Sequence, residues 1–228
     1  MKKIGIIGIT GRIGTLLEEL LRDSLDFSLY GGIASKSSGT DLQDIVQNSD
    51  ILVDFSRPAA TLQAAELASR YGTPLVTGTT GIAPQDFEKI RSYSRSIPIL
   101  HSSNFSEGIQ LMAILLKKCS VVLSDFDFSI IDYHHRKKKD APSGTALFLA
   151  EQVKQKAQIV SLRSGNVPGD HICDFCSDDE MLSISHRVFN RQVFAHGALK
   201  CASWLINKNP GMYNMADYLE EKIGDRWK

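Results

Sequence analysis

No charge excess, no membrane-length apolar run, no internal repeat and no second CxxC pair occur in this chain of 228 residues. Lys plus Arg and Asp plus Glu number 26 each. Global electrostatics therefore point to neither nucleic acid nor a membrane surface as a partner. No apolar stretch approaches the roughly 20 residues that a membrane-spanning helix needs. The N-terminal Met1-Lys2-Lys3-Ile4-Gly5-Ile6-Ile7-Gly8 is interrupted by glycine at once and lacks a small-residue cleavage site, so it does not read as a signal peptide. Of the cysteines Cys119, Cys173, Cys176 and Cys201, only Cys173 and Cys176 have CxxC spacing. With no partner pair they do not complete a zinc site, so no metal is expected. Reduced thiols and a cytoplasmic location are the corresponding expectations.

What is present is alternation. Lys3 to Ile7 reads as a buried strand, Gly8-Ile9-Thr10-Gly11-Arg12-Ile13-Gly14 as a glycine turn, and Thr15 to Leu21 as a helix. Strand, glycine turn and helix form the context in which backbone approaches a pyrophosphate and the helix N-terminus accepts its charge. The spacing is GxxGxxG, with Thr10 where the middle glycine of GxGxxG usually falls. Glycines that only let helix and strand approach closely are the competing reading. Further strands are expected at 27–34, 51–56, 74–77 and 97–100, separated by helices at 42–47, 59–71 and 84–95. Short loops between alternating strands and helices predict an α/β fold, a doubly wound parallel sheet of Rossmann type.

Ligands of such sheets sit beyond the carboxyl ends of the strands. Gly8 to Ile13, Ser35 and Lys36, Gly78, Thr79 and Thr80, and Ser102, Ser103, Asn104 and Phe105 all fall there and are the candidate cofactor contacts. An acid at the end of the second strand would take the ribose 2′-OH of NAD. Ser35-Lys36-Ser37-Ser38 offers donors instead, which suits a 2′-phosphate. NADPH is the favoured cofactor, with NADH the other candidate.

From Phe126 the texture changes to one helix, expected from Ser143 to about Lys156, and short strands with turns, an open mixed or antiparallel sheet. The expected organisation is a dinucleotide-binding domain of residues 1–105 and 192–228 and a smaller α+β substrate domain of residues 106–191. The second part contains the most concentrated chemistry in the chain, Asp132-Tyr-His-His-Arg-Lys-Lys-Lys-Asp-Ala-Pro-Ser-Gly-Thr-Ala146. A four-cation run is usually a solvated loop, adjacent strand histidines face opposite ways, and Ser before a helix is usually a cap. Their coincidence between a strand and a helix start favours a site for a small carboxylate, with imidazole for proton transfer.

His134-His135-Arg136-Lys137-Lys138-Lys139-Asp140-Ala141-Pro142-Ser143-Gly144-Thr145-Ala146 resembles the HHxxKxDAPSGTA signature of the dihydrodipicolinate reductase (4-hydroxy-tetrahydrodipicolinate reductase) family, and Gly8 to Gly14 is similar to its GxxGRMG loop. Asp54-Phe55-Ser56-Arg57-Pro58, Gly78 to Gly81, Asn104-Phe105-Ser106 and Phe194 to Ala198 follow in the family's order, so the resemblance spans nearly the whole chain. Asp132 stands where Glu is common. The resemblance implies an oxidoreductase of lysine and diaminopimelate biosynthesis, a homotetramer whose smaller domain also carries oligomer contacts. It implies His134 and Lys138 as the proton-transferring residues, and His135, Gly144 and Thr145 as substrate contacts. Ser143 and Arg191 are further candidates for holding a carboxylate. The alternatives are a related NAD(P)-dependent reductase of an amino-acid-derived imine or aldehyde, and a non-catalytic NADP-sensing module.

Overall fold

A computed structural model describes residues 1–34 and 39–224 of the chain, which divide into two compact units, residues 1–105 with 192–228 and residues 106–191. In the first unit β1 (Lys2–Ile7) enters the glycine turn and α1 (Arg12–Arg22) leaves it. The helix begins earlier than its apolar pattern indicated, because Gly11 takes extended angles and serves as its N-cap. There follow β2 (Phe27–Ile33), α2 (Gly39–Asn48), β3 (Ile51–Asp54), α3 (Pro58–Tyr71), β4 (Leu75–Thr77), α4 (Pro84–Tyr93) and β5 (Pro98–His101). Pro58 and Pro84 open their helices at positions where a missing N–H costs nothing, and Gly72 closes α3 in the left-handed region at φ +75°.

The unit's sheet has the order β10 (Gly211–Tyr213)-β5-β4-β3-β1-β2, and every neighbouring pair is parallel. This is the doubly wound architecture that the alternation predicts. Its strands are buried on both faces, as the continuous run Ile51 to Asp54 illustrates. The last part of the unit was not anticipated: after α7 (Gln192–Leu205) the chain adds β10 (Gly211–Tyr213) at the sheet edge and α8 (Met215–Ile223). The signal for α8 is a capping box. Asn214 Oδ1 accepts from the amides of Ala216 and Asp217, and Asp217 Oδ2 accepts from the Asn214 amide.

The second unit contains α5 (Glu107–Val122), β6 (Asp127–His134), α6 (Gly144–Ala150), β7 (Ala157–Arg163), β8 (Asp170–Cys176) and β9 (Met181–Arg187). Its sheet order is β7-β6-β8-β9, parallel at β6–β7 and antiparallel elsewhere, hence mixed. Phe128 and Ile130 of β6, with Cys173 and Phe175 of β8, pack against Met112 and Leu116 of α5 and Leu149 of α6. The expected helix from Ser143 to Lys156 is shorter than the apolar pattern suggested. It stops at Ala150 because the next residues turn to satisfy the end of α5. There the Lys154 amide donates to Ser120 Oγ, and Gln155 Nε2 donates to the carbonyls of Ser120 and Leu123.

Candidate active site

The alternation of β6 decides where its chemistry goes. Phe128, Ile130, Asp132 and His134 are buried on the helix-covered face, whereas Ser129, Ile131 and Tyr133 are only half-buried on the other. The strand runs on through His134, so the two histidines of the motif part company: His134 turns in, and His135 begins the loop.

Asp132 is fully buried and gathers the surrounding elements around one carboxylate. Oδ2 accepts from the Ser143 amide at 2.8 Å, from Ser161 Oγ at 3.0 Å and from Arg163 Nη2 at 2.7 Å. Oδ1 lies 2.8 Å from His134 Nδ1 and 3.5 Å from His171 Nε2. The first of these is at ion-pair distance without the N–H aligned on the oxygen. Burial by itself would raise the Asp132 pKa, but the donors from His134, His171, Arg163 and Ser143 together hold it far below the usual carboxylate range. Arg163 reaches further, donating to the carbonyls of Asp132, Leu162 and Asp140, and so anchors the far end of the basic loop. Asp132, His134 and His171 bring three ligand-type atoms within 4.8 Å of one another. The guanidinium already supplies there the positive charge that a metal ion would bring.

On its other side the His134 ring abuts Gly169, where an added Cβ would sit 3.0 Å from Nε2. His135 donates its amide to the Val167 carbonyl, and its Nε2 lies 3.3 Å from Arg191 Nη2. Lys138 Nζ donates to Asp140 Oδ2 at 2.7 Å. That hydrogen bond is the largest cause lowering the Asp140 pKa, against burial, and the Asp140 amide, the Lys138 charge and the Gly144 amide add to it. His135, Arg136, Lys137, Gly165 and Asn166 line a pocket of ≈ 350 Å³ beside this loop. Arg136, Lys137 and Lys139 are exposed and Lys138 is half-buried, which separates Lys138 from the other cations of the run.

Within the second unit His134 sits on Asp132, His135 faces Arg191 and Lys138 faces Asp140, and one expected contact is corrected. Ser143 is not placed to hold a carboxylate. Its amide is spent on Asp132, its Oγ accepts from the Ala146 amide and contacts His171 Nε2 at 3.3 Å, and the residue is 1% exposed. Gly144 is exposed and Thr145 half-buried at the start of α6. Asp132, Arg163, His171 and Gly169 were missed as a group. A charged residue at a core position of an alternating strand was the available signal for Asp132.

The first unit carries the glycine cradle. Gly8 has φ +85°, and a Cβ on Gly14 would meet the Gly8 carbonyl at 2.2 Å, so both positions require glycine. Gly11 caps α1 with no side-chain hydrogen bond, leaving the first-turn amides uncovered by a side chain. Thr10 and Arg12 are exposed and Ile13 half-buried at that turn, and Ile9 packs toward Gly32. This cradle fits a dinucleotide pyrophosphate. Asp54, fully buried at the end of β3, accepts from Thr61, Thr77 and Thr79 Oγ1 and bonds Ser56 Oγ. Two expected contacts change accordingly. The Thr79 side chain is spent on Asp54 and the Ser56 amide, and the Phe105 ring is buried edge-on against Phe55, so neither side chain is available to a cofactor. Ser102 Oγ is also turned inward, donating to the Asn104 carbonyl. Gly78 lies against the Phe55 ring, and Thr80 and Ser103 are exposed beyond the strand ends, where Asn104 is half-buried. Ser35 and Lys36 lie outside the described residues.

A parallel dinucleotide-type sheet with a glycine cradle, joined in one chain to a mixed-sheet unit bearing ionisable histidines and a basic loop, defines a two-domain nicotinamide-dependent oxidoreductase. Residues 2–105 match the family model described as "Dihydrodipicolinate reductase, N-terminus", and residues 108–219 match "Dihydrodipicolinate reductase, C-terminus". The chain belongs to the dihydrodipicolinate reductase family. It is 36% identical over 238 residues to the 4-hydroxy-tetrahydrodipicolinate reductase of Rickettsia bellii, covering 96% of this chain and 95% of that one. With the enzyme of the same name from Zymomonas mobilis it shares 37% identity over 246 residues, covering 95% of this chain and 96% of the relative. The fold is similar to that of a dipicolinate-bound dihydrodipicolinate reductase from Paenisporosarcina sp. TG-14, with a TM-score of 0.77 at 19% identity over 94% of this chain and 97% of that one.

Proposed function

We propose that the chain catalyses the NAD(P)H-dependent reduction of 4-hydroxy-tetrahydrodipicolinate to tetrahydrodipicolinate in lysine and diaminopimelate biosynthesis. The observation that carries this reading is the family match across both units, with the His134 to Ala146 signature intact in the second. The nicotinamide, when bound, supplies the hydride. Reduction of a conjugated imine builds negative charge toward the ring nitrogen, and a proton donor or fixed cation placed there stabilises it. His134 and Lys138 are the residues assigned to that task. His135 and Arg191, 3.3 Å apart, converge on one place where a carboxylate would be held, and Gly144 and Thr145 offer amides and a hydroxyl for the other.

NADPH is the favoured cofactor, since Ser35-Lys36-Ser37-Ser38 brings donors and no acid after β2. The cradle Gly8 to Gly14, with Gly78, Thr80, Ser103 and Asn104, forms the cofactor side. A homotetramer is supported by the uncovered face of the four-stranded sheet, where Val160 (54%) and Leu162 (46%) are exposed on β7 and Met181 (63%) on β9 at the opposite edge. The cytoplasm suits four cysteines none of which is paired.

The test is NADPH oxidation while dihydrodipicolinate synthase generates the substrate in the cuvette. Turnover is expected, with kcat falling on the order of 10²-fold or more in His134→Ala and Lys138→Ala while NADPH affinity stays nearly unchanged. No turnover overturns the function, and unchanged kcat in both variants overturns the site.

A further inference from the structure

The second unit concentrates its least satisfied polar atoms around Asp132. Among the described residues, the buried side-chain atoms without a hydrogen-bond partner include Asp132 Oδ1, His134 Nδ1, His171 Nδ1 and Arg163 Nε. Such atoms are costly to bury and are retained where they do something. The two oxygens of Asp132 are not equivalent. Oδ2 faces three donors, the Ser143 amide, Ser161 Oγ and Arg163 Nη2, at 2.7–3.0 Å. Among the described residues Oδ1 faces two imidazoles, His134 Nδ1 at 2.8 Å and His171 Nε2 at 3.5 Å, whose rings meet edge-on at 5.2 Å.

We infer that Asp132 is a positioning residue for the reduction: it fixes the neutral tautomer of His134 with the proton on Nδ1, so that Nε2, the nitrogen beside Gly169, exchanges protons with the substrate. The inference rests on the role of His134 proposed above. An ionised carboxylate oxygen can only accept and would repel a nitrogen lone pair 2.8 Å away, so that ring nitrogen holds the hydrogen although its N–H is not aligned on Oδ1. In the imidazolium both nitrogens carry protons. When the Nε2–H bond breaks and the proton passes to the substrate's ring nitrogen, the ring relaxes to the tautomer that keeps Nδ1–H against Asp132. Arg163, 2.7 Å from Oδ2, keeps the carboxylate from taking that proton itself. His171 faces the same oxygen through Nε2, which also lies 3.3 Å from Ser143 Oγ. It therefore carries its hydrogen on Nε2, the opposite tautomer.

Asp132→Asn tests the arrangement with almost no change in volume. The three donors at Oδ2 hold the amide oxygen there, so the amide NH₂ faces His134 and Nδ1 must accept. The proton moves to Nε2, the wrong tautomer for accepting one. Replacing the carboxylate that orients a catalytic histidine costs about 10⁴ in kcat in the serine proteases. Here kcat is expected to fall at least about 10²-fold, the span of general acid–base catalysis, with KM for both substrates little changed. The direct reading is ¹⁵N NMR of the histidine-labelled native chain, its six imidazoles assigned by difference with His134→Gln and His171→Gln. In the neutral rings His134 is expected as Nδ1–H and His171 as Nε2–H, with His134 inverted in Asp132→Asn. A native His134 in the Nε2–H form overturns the inference even if the variant does not fold. So does an Asp132→Asn protein of undiminished kcat. A native chain without turnover overturns the proposed function instead, and the spectrum still reads the tautomer.

Discussion

Replacing Arg163 by Met should expose how dearly the buried carboxylate is held, and the effect should depend on pH in a specified direction. Asp132 is fully buried, and Arg163, with its side chain 15% exposed, supplies its 2.7 Å ion pair. Methionine keeps most of the apolar stem but strands the charge. Removing one partner of a buried pair costs about 3–5 kcal/mol, which for a chain of this size corresponds to roughly 6–20 °C in melting temperature. In the native protein the Asp132 pKa is depressed, so its contribution to stability is fully present above the unfolded carboxyl value near 3.9 and is lost only as pH falls through the folded value. Without the guanidinium, burial becomes less opposed and pushes the carboxyl upward. Protonation then relieves the variant on mild acidification, while the native protein is not yet affected. The gap in melting temperature, read by calorimetry, should be widest near pH 7.5 and should narrow toward pH 4.5. A gap of less than about 2 °C at pH 7.5, or one that does not change with pH, would refute the account of Asp132 as a buried charge held by Arg163.

Gly14→Ala places a Cβ 2.2 Å from the Gly8 carbonyl, so the cradle must open; NADPH affinity by fluorescence titration should fall more than about tenfold, the order expected when backbone can no longer approach the pyrophosphate. Cys173 is fully buried and its thiol is pushed up to about 12 by burial, with the nearby Asp174 adding to it. At pH 8 only about one thiol in 10⁴ is then ionised, so peptide mapping after treatment with a disulfide reagent should find Cys173 unmodified until the chain is denatured. Leu162→Glu places a charge on the uncovered face of the four-stranded sheet, where Leu162 is 46% exposed, and light scattering should show a smaller assembly than the native chain forms.

Much of this fold was legible because alternation is a strong signal. Helices at 59–71 and 84–95 were bounded by Pro58, Gly72 and Pro84, residues whose backbone chemistry leaves little choice. The overextended helix after Ser143 shows the opposite case. Phe148, Leu149 and Val153 keep helical spacing, but the turn after Ala150 is set by Ser120 and Leu123, distant in sequence. The short β10 also escaped notice, since three half-buried residues carry no period of their own. For the site, residue types singled out the strand-to-helix loop as a whole, and only the resemblance to the reductase family separated His134, His135 and Lys138 within it. Which oxygen or nitrogen is already engaged is a tertiary fact: Ser143 and Thr79 look available until the Ser143 amide is seen to donate to Asp132, its hydroxyl to accept from Ala146, and the Thr79 hydroxyl to donate to Asp54.

Those two aspartates show one solution reached in both units. Each is fully buried in the carboxyl-terminal half of a strand, and each ties loop residues to neighbouring elements: Ser56 and Thr79 of loops with Thr61 of α3 and Thr77 of β4 on Asp54, and Ser143 at the end of the basic loop with Ser161 and Arg163 of β7 on Asp132. Loops at strand ends are where ligands bind, and they are also the least constrained parts of an α/β protein. A buried carboxylate accepting several such bonds fixes them at once, because leaving any donor unpaired in the interior costs about 1–3 kcal/mol. The difference lies in the donors. Around Asp54 the side chains are all hydroxyls, which hold loops in place and supply no acid–base chemistry near neutral pH. Around Asp132 two of the neighbours are imidazoles. The same device that holds a loop can there orient a group able to move a proton.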